Sequence, residues 1–259
     1  MVSQFELVPD IRQRLMRCSV PDIKEIDCHG ECRQDGEGGD FFEFLSGPGP
    51  IVRVYLGSPL AKCTGSAAMA TTLQATVRAI RVAGDDTIAS TLPQLNHLIR
   101  TSAPGEYYAA LFAAKFDVSR RRVQYVNAGQ ACALIVRHNA DCAIPLITDN
   151  PVLGLNDRNA FQQHTIPFHP GDTLIACTQG VLDLIERRCD ESEQFVCDLV
   201  RNNDRACAID LANCLLSDND DSLECEHDRS VVVVRFLGPQ ITVCIEESGY
   251  AVDWCAAAH

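Results

Sequence analysis

Residues 24–33 place Ile26, Cys28, Gly30 and Cys32 at every second position, the two-residue period of a strand with one buried face. The glycine-rich turn QDGEGGD then leads into an aromatic strand, FFEFL. GPGP at 47–50 is a turn, the strand IVRVYLG ends at Gly57, and residues 58–65 read as a loop. From Ser66 the period changes to that of a helix, with Met69, Leu73, Val77 and Ile80 on one face, and a second helix is predicted over 86–101. After the Pro-Gly turn at 104, YYAALFAAKFDV and RRVQYVNAG form a predicted hairpin, and ACALIVRHN continues the sheet. QHTIPF and DTLIACT are two more strands, separated by the turn HPGD. Helices near 191–201 and 204–216 and the strands RSVVVVRF and ITVCIEE complete the chain, which opens with a short amphipathic helix over 10–17.

Strands joined by short turns pair antiparallel. About ten strands exceed what one twisted sheet usually carries, so two packed sheets with helices outside are expected. The predicted class is α+β, a layered α/β/β/α sandwich.

Composition narrows the partners. The 259 residues are ample for one large domain, and hydrophobic content of 46% with 22% charged residues is that of a globular protein. A net charge of −13 without a basic stripe argues against nucleic acid and anionic membrane as partners. The cluster Ser119-Arg120-Arg121-Arg122 falls between two strands and reads as a solvated hairpin turn. No apolar run is long enough to cross a bilayer, and the N-terminus lacks the pattern of a signal peptide, so a cytoplasmic protein is expected. Fourteen cysteines in such a protein are expected reduced and mostly buried. Cys28 and Cys32 on one strand lie about 13 Å apart, too far to share a zinc ion. Cys207 and Cys214, seven apart on a helical pattern, read as core.

Candidate chemistry sits at strand ends, where a rigid scaffold exposes single side chains. In LIACTQGVLDLI that side chain is Gln179, a neutral amide, beside Gly180. Four landmarks share such positions: GGDFFEF at 38–44, YLGSPLAKCTGSAAMA at 55–70, LIACTQGVLD at 174–183 and HDRSVVVVR at 227–235. With YVNAGQ at 125–130, their order and spacing resemble the metal-dependent PP2C-like (PPM-type) serine/threonine phosphatases, in the bacterial SpoIIE/RsbU branch. The resemblance implies a linker helix over 1–17 and a phosphatase domain over 18–259. It also implies a two-metal site for Mg²⁺ or Mn²⁺ in a cleft between the sheets, built from aspartates because hard divalent cations take oxygen ligands.

Position by position, that implied site is depleted. Asp40 matches the aspartate of the first motif, and Glu43 stands at its second acid. Ser58, after Gly57, replaces the bridging aspartate of the second motif. Gln179 replaces the aspartate of the third, and His227 replaces the first aspartate of the last, leaving Asp228 as its second. Gln130 replaces the histidine usual after NAG, and Pro59 to Cys63 depart from the family's glycine-containing loop. The implied metal residues are therefore Asp40 and Asp228, with Ser58, Gln179 and His227 degenerate and Glu43, Gly57, Gly180 and Gln130 as neighbours. No catalytic residue is assigned. Asp40 also reads as a turn residue after glycines, His227 as a surface histidine and Ser58 as a loop serine. One aspartate against +4 predicts weak or absent Mg²⁺ or Mn²⁺ binding, hence a pseudophosphatase that binds a regulatory partner. A small STAS-domain protein, phosphorylated or not, is what the resemblance implies. An active enzyme with one metal on Asp40, Asp228, His227 and Glu43 is one alternative, and a structural scaffold is another. The helix at 10–17 suits a homodimer.

Overall fold

The computed structural model describes residues 18–33, 39–60, 65–82, 87–102, 107–138, 143–157, 160–217 and 227–238. The expected helix at 10–17, the strand ITVCIEE and the loop segment 61–64 lie outside the described residues. Among the described residues, ten strands form two antiparallel sheets of five. One sheet contains β1 (Ile26–Arg33), β6 (Cys132–Val136), β7 (Ala143–Pro145), β9 (Thr173–Cys177) and β10 (Arg229–Phe236), in the order β1-β10-β9-β6-β7. The other runs β2-β3-β4-β5-β8, from β2 (Phe41–Ser46), β3 (Ile51–Pro59), β4 (Ala109–Asp117), β5 (Arg122–Ala128) and β8 (His164–Pro167). Helices α1 (Ser66–Val82) and α2 (Ile88–Ser102) cover the second sheet. Helices α3 (Gln179–Glu186), α4 (Ser192–Asn202) and α5 (Ala208–Leu216) cover the first.

The two-residue period builds these layers. Val52, Val54 and Leu56 of β3 and Val232 and Val234 of β10 point into the inter-sheet core, beside Phe44, Phe112 and Phe116. The alternate residues face outward: Tyr55 packs with Leu73 of α1 and Leu92 of α2, and Val231 and Val233 pack with Val181 and Leu211. Each sheet is thus apolar on both faces, which explains runs such as VVVV. No helix among the described residues is long and apolar enough to cross a membrane.

Several boundaries differ from the sequence reading. The loop expected from Ser58 begins later, because β3 continues to Pro59 with Ser58 opposite Ala110 of β4. The short β7 was not expected; it pairs Ala143–Pro145 with Leu134–Val136 at the sheet edge. The basic cluster does close the β4–β5 hairpin, where Asp117 binds Arg120 at 3.2 Å and faces Arg122 at 3.8 Å. Arg121 takes a positive φ of 49° at that turn.

The cysteine expectation needs correction. All nine described cysteines are free, yet only Cys28, Cys177 and Cys197 are buried. Cys207 and Cys214 are exposed, not core. Cys207 caps the start of α5, where Asp210 Oδ2 accepts from its N–H at 3.2 Å and its thiol at 2.8 Å. Cys214 lies outside the buried stripe of α5, which runs through Ala208, Leu211, Ala212, Leu215 and Leu216. A seven-residue spacing puts two residues on one face without saying which face is covered.

Candidate functional site

The start of β2, the end of β3, the end of β9 and the start of β10 meet at one end of the sandwich. Asp40 immediately precedes β2, and its side chain is buried, 3% exposed. Its carboxyl is pushed up to about 6, first by burial and also by the nearby charge of Asp228. The neighbouring hydroxyls of Ser58 and Thr178 act in the opposite direction. Asp40 Oδ2 is buried with no hydrogen-bond partner.

Backbone contacts hold this corner together. Asp228 Oδ2 accepts from the N–H groups of Gly39 and, at 3.0 Å, Asp40. The acid after His227 therefore clamps the glycine turn that presents Asp40. Thr178 joins the other two ends: its hydroxyl donates to Asp228 O at 3.2 Å and accepts from Ser230 N–H at 3.0 Å. Gln179 is the first residue of α3, with Thr178 still extended before it (φ −83°, ψ 170°).

Asp183, four residues into that helix, engages both Gln179 and His227. Gln179 Nε2 donates to Asp183 Oδ1 at 2.7 Å, and His227 Nδ1 lies 3.3 Å from Asp183 Oδ2. Sequence reading missed Asp183. The available signal was its i+4 spacing from Gln179 on a helical pattern, which brings two side chains onto one face.

The structure thus joins Asp40, Ser58, Gln179, His227 and Asp228 through one continuous set of contacts. Gly57 and Gly180 belong to it through packing. Gly57 lies opposite Phe41, and a Cβ there would meet the Phe41 ring at 2.3 Å. A Cβ on Gly180 would meet Asp228 O at 2.4 Å and His227 O at 2.8 Å. Both are backbone atoms that cannot swing aside, so Gly180→Ala is expected to lower stability by about 1–3 kcal/mol, read as a shift in the urea midpoint. An unchanged midpoint would mean that α3 does not hold this close approach.

Glu43 and Gln130 lie elsewhere. Glu43 faces the helix layer, where Gln74 Nε2 and Arg78 of α1 each bind its Oε2 at 2.7 Å. Strand alternation explains this, since Asp40 and Glu43 are three residues apart and point to opposite faces. Gln130 lines a cavity of about 500 Å³ between β6 and helices α3 and α4, with its Nε2 buried and unpartnered.

The donor set does not fit a pair of hard divalent ions. Asp40 supplies one negative charge, Ser58 offers a hydroxyl, and the side chains of Gln179 and His227 are turned to Asp183. Among the described residues, no group of three or more His, Cys, Asp or Glu is placed to hold a metal. Magnesium sheds water reluctantly, and neutral oxygens compensate poorly.

The fold has close structural relatives. The RsbU and RsbW domains of Rv1364c from Mycobacterium tuberculosis superpose with a TM-score of 0.69 at 21% identity, over 83% of this chain and 61% of that one. The PP2C phosphatase domain of SpoIIE from Bacillus subtilis, with a fragment of its regulatory domain, gives 0.68 at 15% identity, over 81% and 61%. RsbX, solved in complex with magnesium, gives 0.63 at 12% identity, over 83% and 98%. This chain therefore spans about three fifths of the length of the first two. No curated protein sequence matches it. The family model for Stage II sporulation protein E matches residues 52–237, and β1 and β2, before that match, pair with β10 and β3 inside it. The chain belongs to the SpoIIE family and carries its PP2C-like phosphatase fold.

Proposed function

We propose that this chain is a pseudophosphatase: a SpoIIE/RsbU-type domain that recognises a regulatory protein and does not hydrolyse phosphate. The observation that carries this reading is the coupling of Gln179 and His227 to Asp183. Two positions that hold acids in the family carry an amide and an imidazole here, both engaged with a third residue, and Ser58 leaves Asp40 as the one carboxylate of the four. The partner proposed is a small STAS-domain or similar regulator, in phosphorylated or unphosphorylated form. Rv1364c carries an RsbU domain and an RsbW domain in one protein, which supports a regulatory setting.

A second reading has one observation in its favour. Asp40 Oδ2 is buried and unbonded, as an oxygen awaiting a cation would be. A single ion held by Asp40 and His227 would be a transition metal, because imidazole disfavours magnesium. Calorimetric titration with Mn²⁺ and Mg²⁺, with p-nitrophenyl phosphate turnover on the same sample, separates the two. Neither heat of binding nor turnover is expected, whereas stoichiometric Mn²⁺ binding with turnover would establish the second. Retention of a regulator on the immobilised domain distinguishes partner recognition from a purely structural scaffold.

A further inference from the structure

Cys132 and Cys177 stand directly opposite each other on the antiparallel strands β6 and β9. Directly opposed residues share a face, with Cα atoms about 4.5 or 5.5 Å apart and Cβ atoms about 4.5–5.5 Å apart. Disulfides span Cα separations of about 4.4–6.8 Å, so a small adjustment closes the pair. Neither cysteine of β1 has this arrangement, since Cys28 faces Val234 and Cys32 faces Ser230.

The two thiols differ in access. Cys177 is 0% exposed beneath the helix layer, packed with Val181 and Val231. Cys132 is partly exposed and lines the 500 Å³ cavity, together with Gln130, Leu134, Leu182 and Glu193. A solvent-borne oxidant therefore reaches Cys132 first and Cys177 only through it. The hydrogen bond between the thiols also divides their acidity, lowering Cys132 and raising Cys177, so the accessible sulfur is the better nucleophile. Glu193 acts against this on Cys132 but less strongly than the thiol bond.

We propose that Cys132 and Cys177 form a reversible thiol–disulfide modification site, with a peroxide as oxidant. The Cys132 thiolate attacks one peroxide oxygen and the O–O bond breaks. Hydroxide leaves, takes up a proton as water, and Cys132 becomes a sulfenic acid. The Cys177 sulfur then attacks the Cys132 sulfur, the S–S bond forms, and the hydroxyl departs as water with the Cys177 proton. Two electrons pass from the thiol pair to the peroxide. The bond would lie one residue before Thr178, whose hydroxyl ties β9 to the Asp228 segment. The cavity wall and the degenerate site would so be coupled to redox state.

The test treats the full chain with graded hydrogen peroxide, alkylates the remaining thiols and digests with trypsin without reduction. The tryptic peptides 123–137 and 159–187 each contain one cysteine, Cys132 and Cys177, so a link between them is unambiguous. They are expected joined, two hydrogens lighter than their sum, and separated by dithiothreitol. In Cys132→Ser, oxidation of Cys177 is expected to slow by at least about tenfold, because its route to solvent is lost. The proposal is overturned if both peptides are recovered separately alkylated while the exposed Cys207 and Cys214 have oxidised. It is also overturned if Cys177 oxidises at an undiminished rate in Cys132→Ser. The wild-type digest alone decides the linkage should that variant fold poorly.

Discussion

The triple change Ser58→Asp, Gln179→Asp, His227→Asp is expected to turn a protein whose thermal midpoint ignores Mn²⁺ into one whose midpoint climbs with it. In wild type, Asp40 is the one acid among the four positions that the resemblance assigns to metal, and Asp183 already engages two of the other three side chains, Gln179 and His227. The triple variant places four carboxylates at one corner, next to Asp183 and Asp228. Two like charges 4 Å apart near a surface repel by roughly 4 kcal/mol, so the variant without metal is expected to melt well below wild type. Metal then binds the folded form alone, adding about 2.7 kcal/mol once its free concentration reaches about 100 times the dissociation constant. A domain of this size shifts by about 2–4 °C per kcal/mol, so the rise is easily measured. A single restored aspartate is not expected to suffice, because a two-ion site requires ions held about 3.5–4 Å apart. Turnover is expected to return later than binding and only in part, since Gln179→Asp also faces Asp183 one helical turn away. If wild type itself turns over phosphoprotein at about 1 s⁻¹ or more in Mn²⁺, the pseudophosphatase reading is wrong.

Much of this corner was legible in the sequence because its parts sit at pattern breaks. The switch from strand alternation to glycine before Phe41 marks Asp40, and the end of LIAC marks Thr178 and Gln179. Such breaks are local, and local signals survive in one sequence. The sheet order β1-β10-β9-β6-β7 was not legible, because it rests on β1 pairing with β10 from the far end of the fold, where Ile26 meets Phe236. The role of Asp228 was hidden for a related reason. Its carboxylate serves backbone N–H groups nearly 190 positions away, which no spacing rule announces. Glu43 shows the opposite hazard. Motif position placed it beside Asp40, but strand alternation sends it to Arg78 and Gln74 on the other face. The exposed Cys207 and Cys214 show that a shared helical face does not identify the covered one. Only the packing of α5 against β10 and β1 settles which stripe is buried.

The second large effect concerns Asp40, and its sign runs against the usual acid. Asp40→Asn is expected to stabilise the metal-free domain at pH 7.5 and to have little effect near pH 4. An aspartate in an unfolded chain titrates near 3.9, whereas burial pushes Asp40 in the folded domain up to about 6. The folded state therefore holds the proton more tightly than the unfolded state. Its contribution to stability is fully present below about pH 4 and is lost as pH rises through about 6. Above that, the folded domain carries a buried carboxylate with one unbonded oxygen. A difference of about two pK units corresponds to roughly 3 kcal/mol, an upper figure because the corner can relax around the charge. Asparagine has nearly the same shape, can still accept from Ser58, and carries no charge to bury. A gain of about 1–3 kcal/mol at pH 7.5, shrinking toward zero at pH 4, is the expected result of urea titrations in the presence of a chelator. A loss at pH 7.5 would mean that the hydroxyl bonds to the ionised carboxylate outweigh its burial. Should the gain appear, Asp40 is an acid held against the interest of the fold, and stability forgone at one buried position is a mark of function. That outcome would point to Asp40 as the residue through which this corner still acts, on a partner's cationic group or on a single ion.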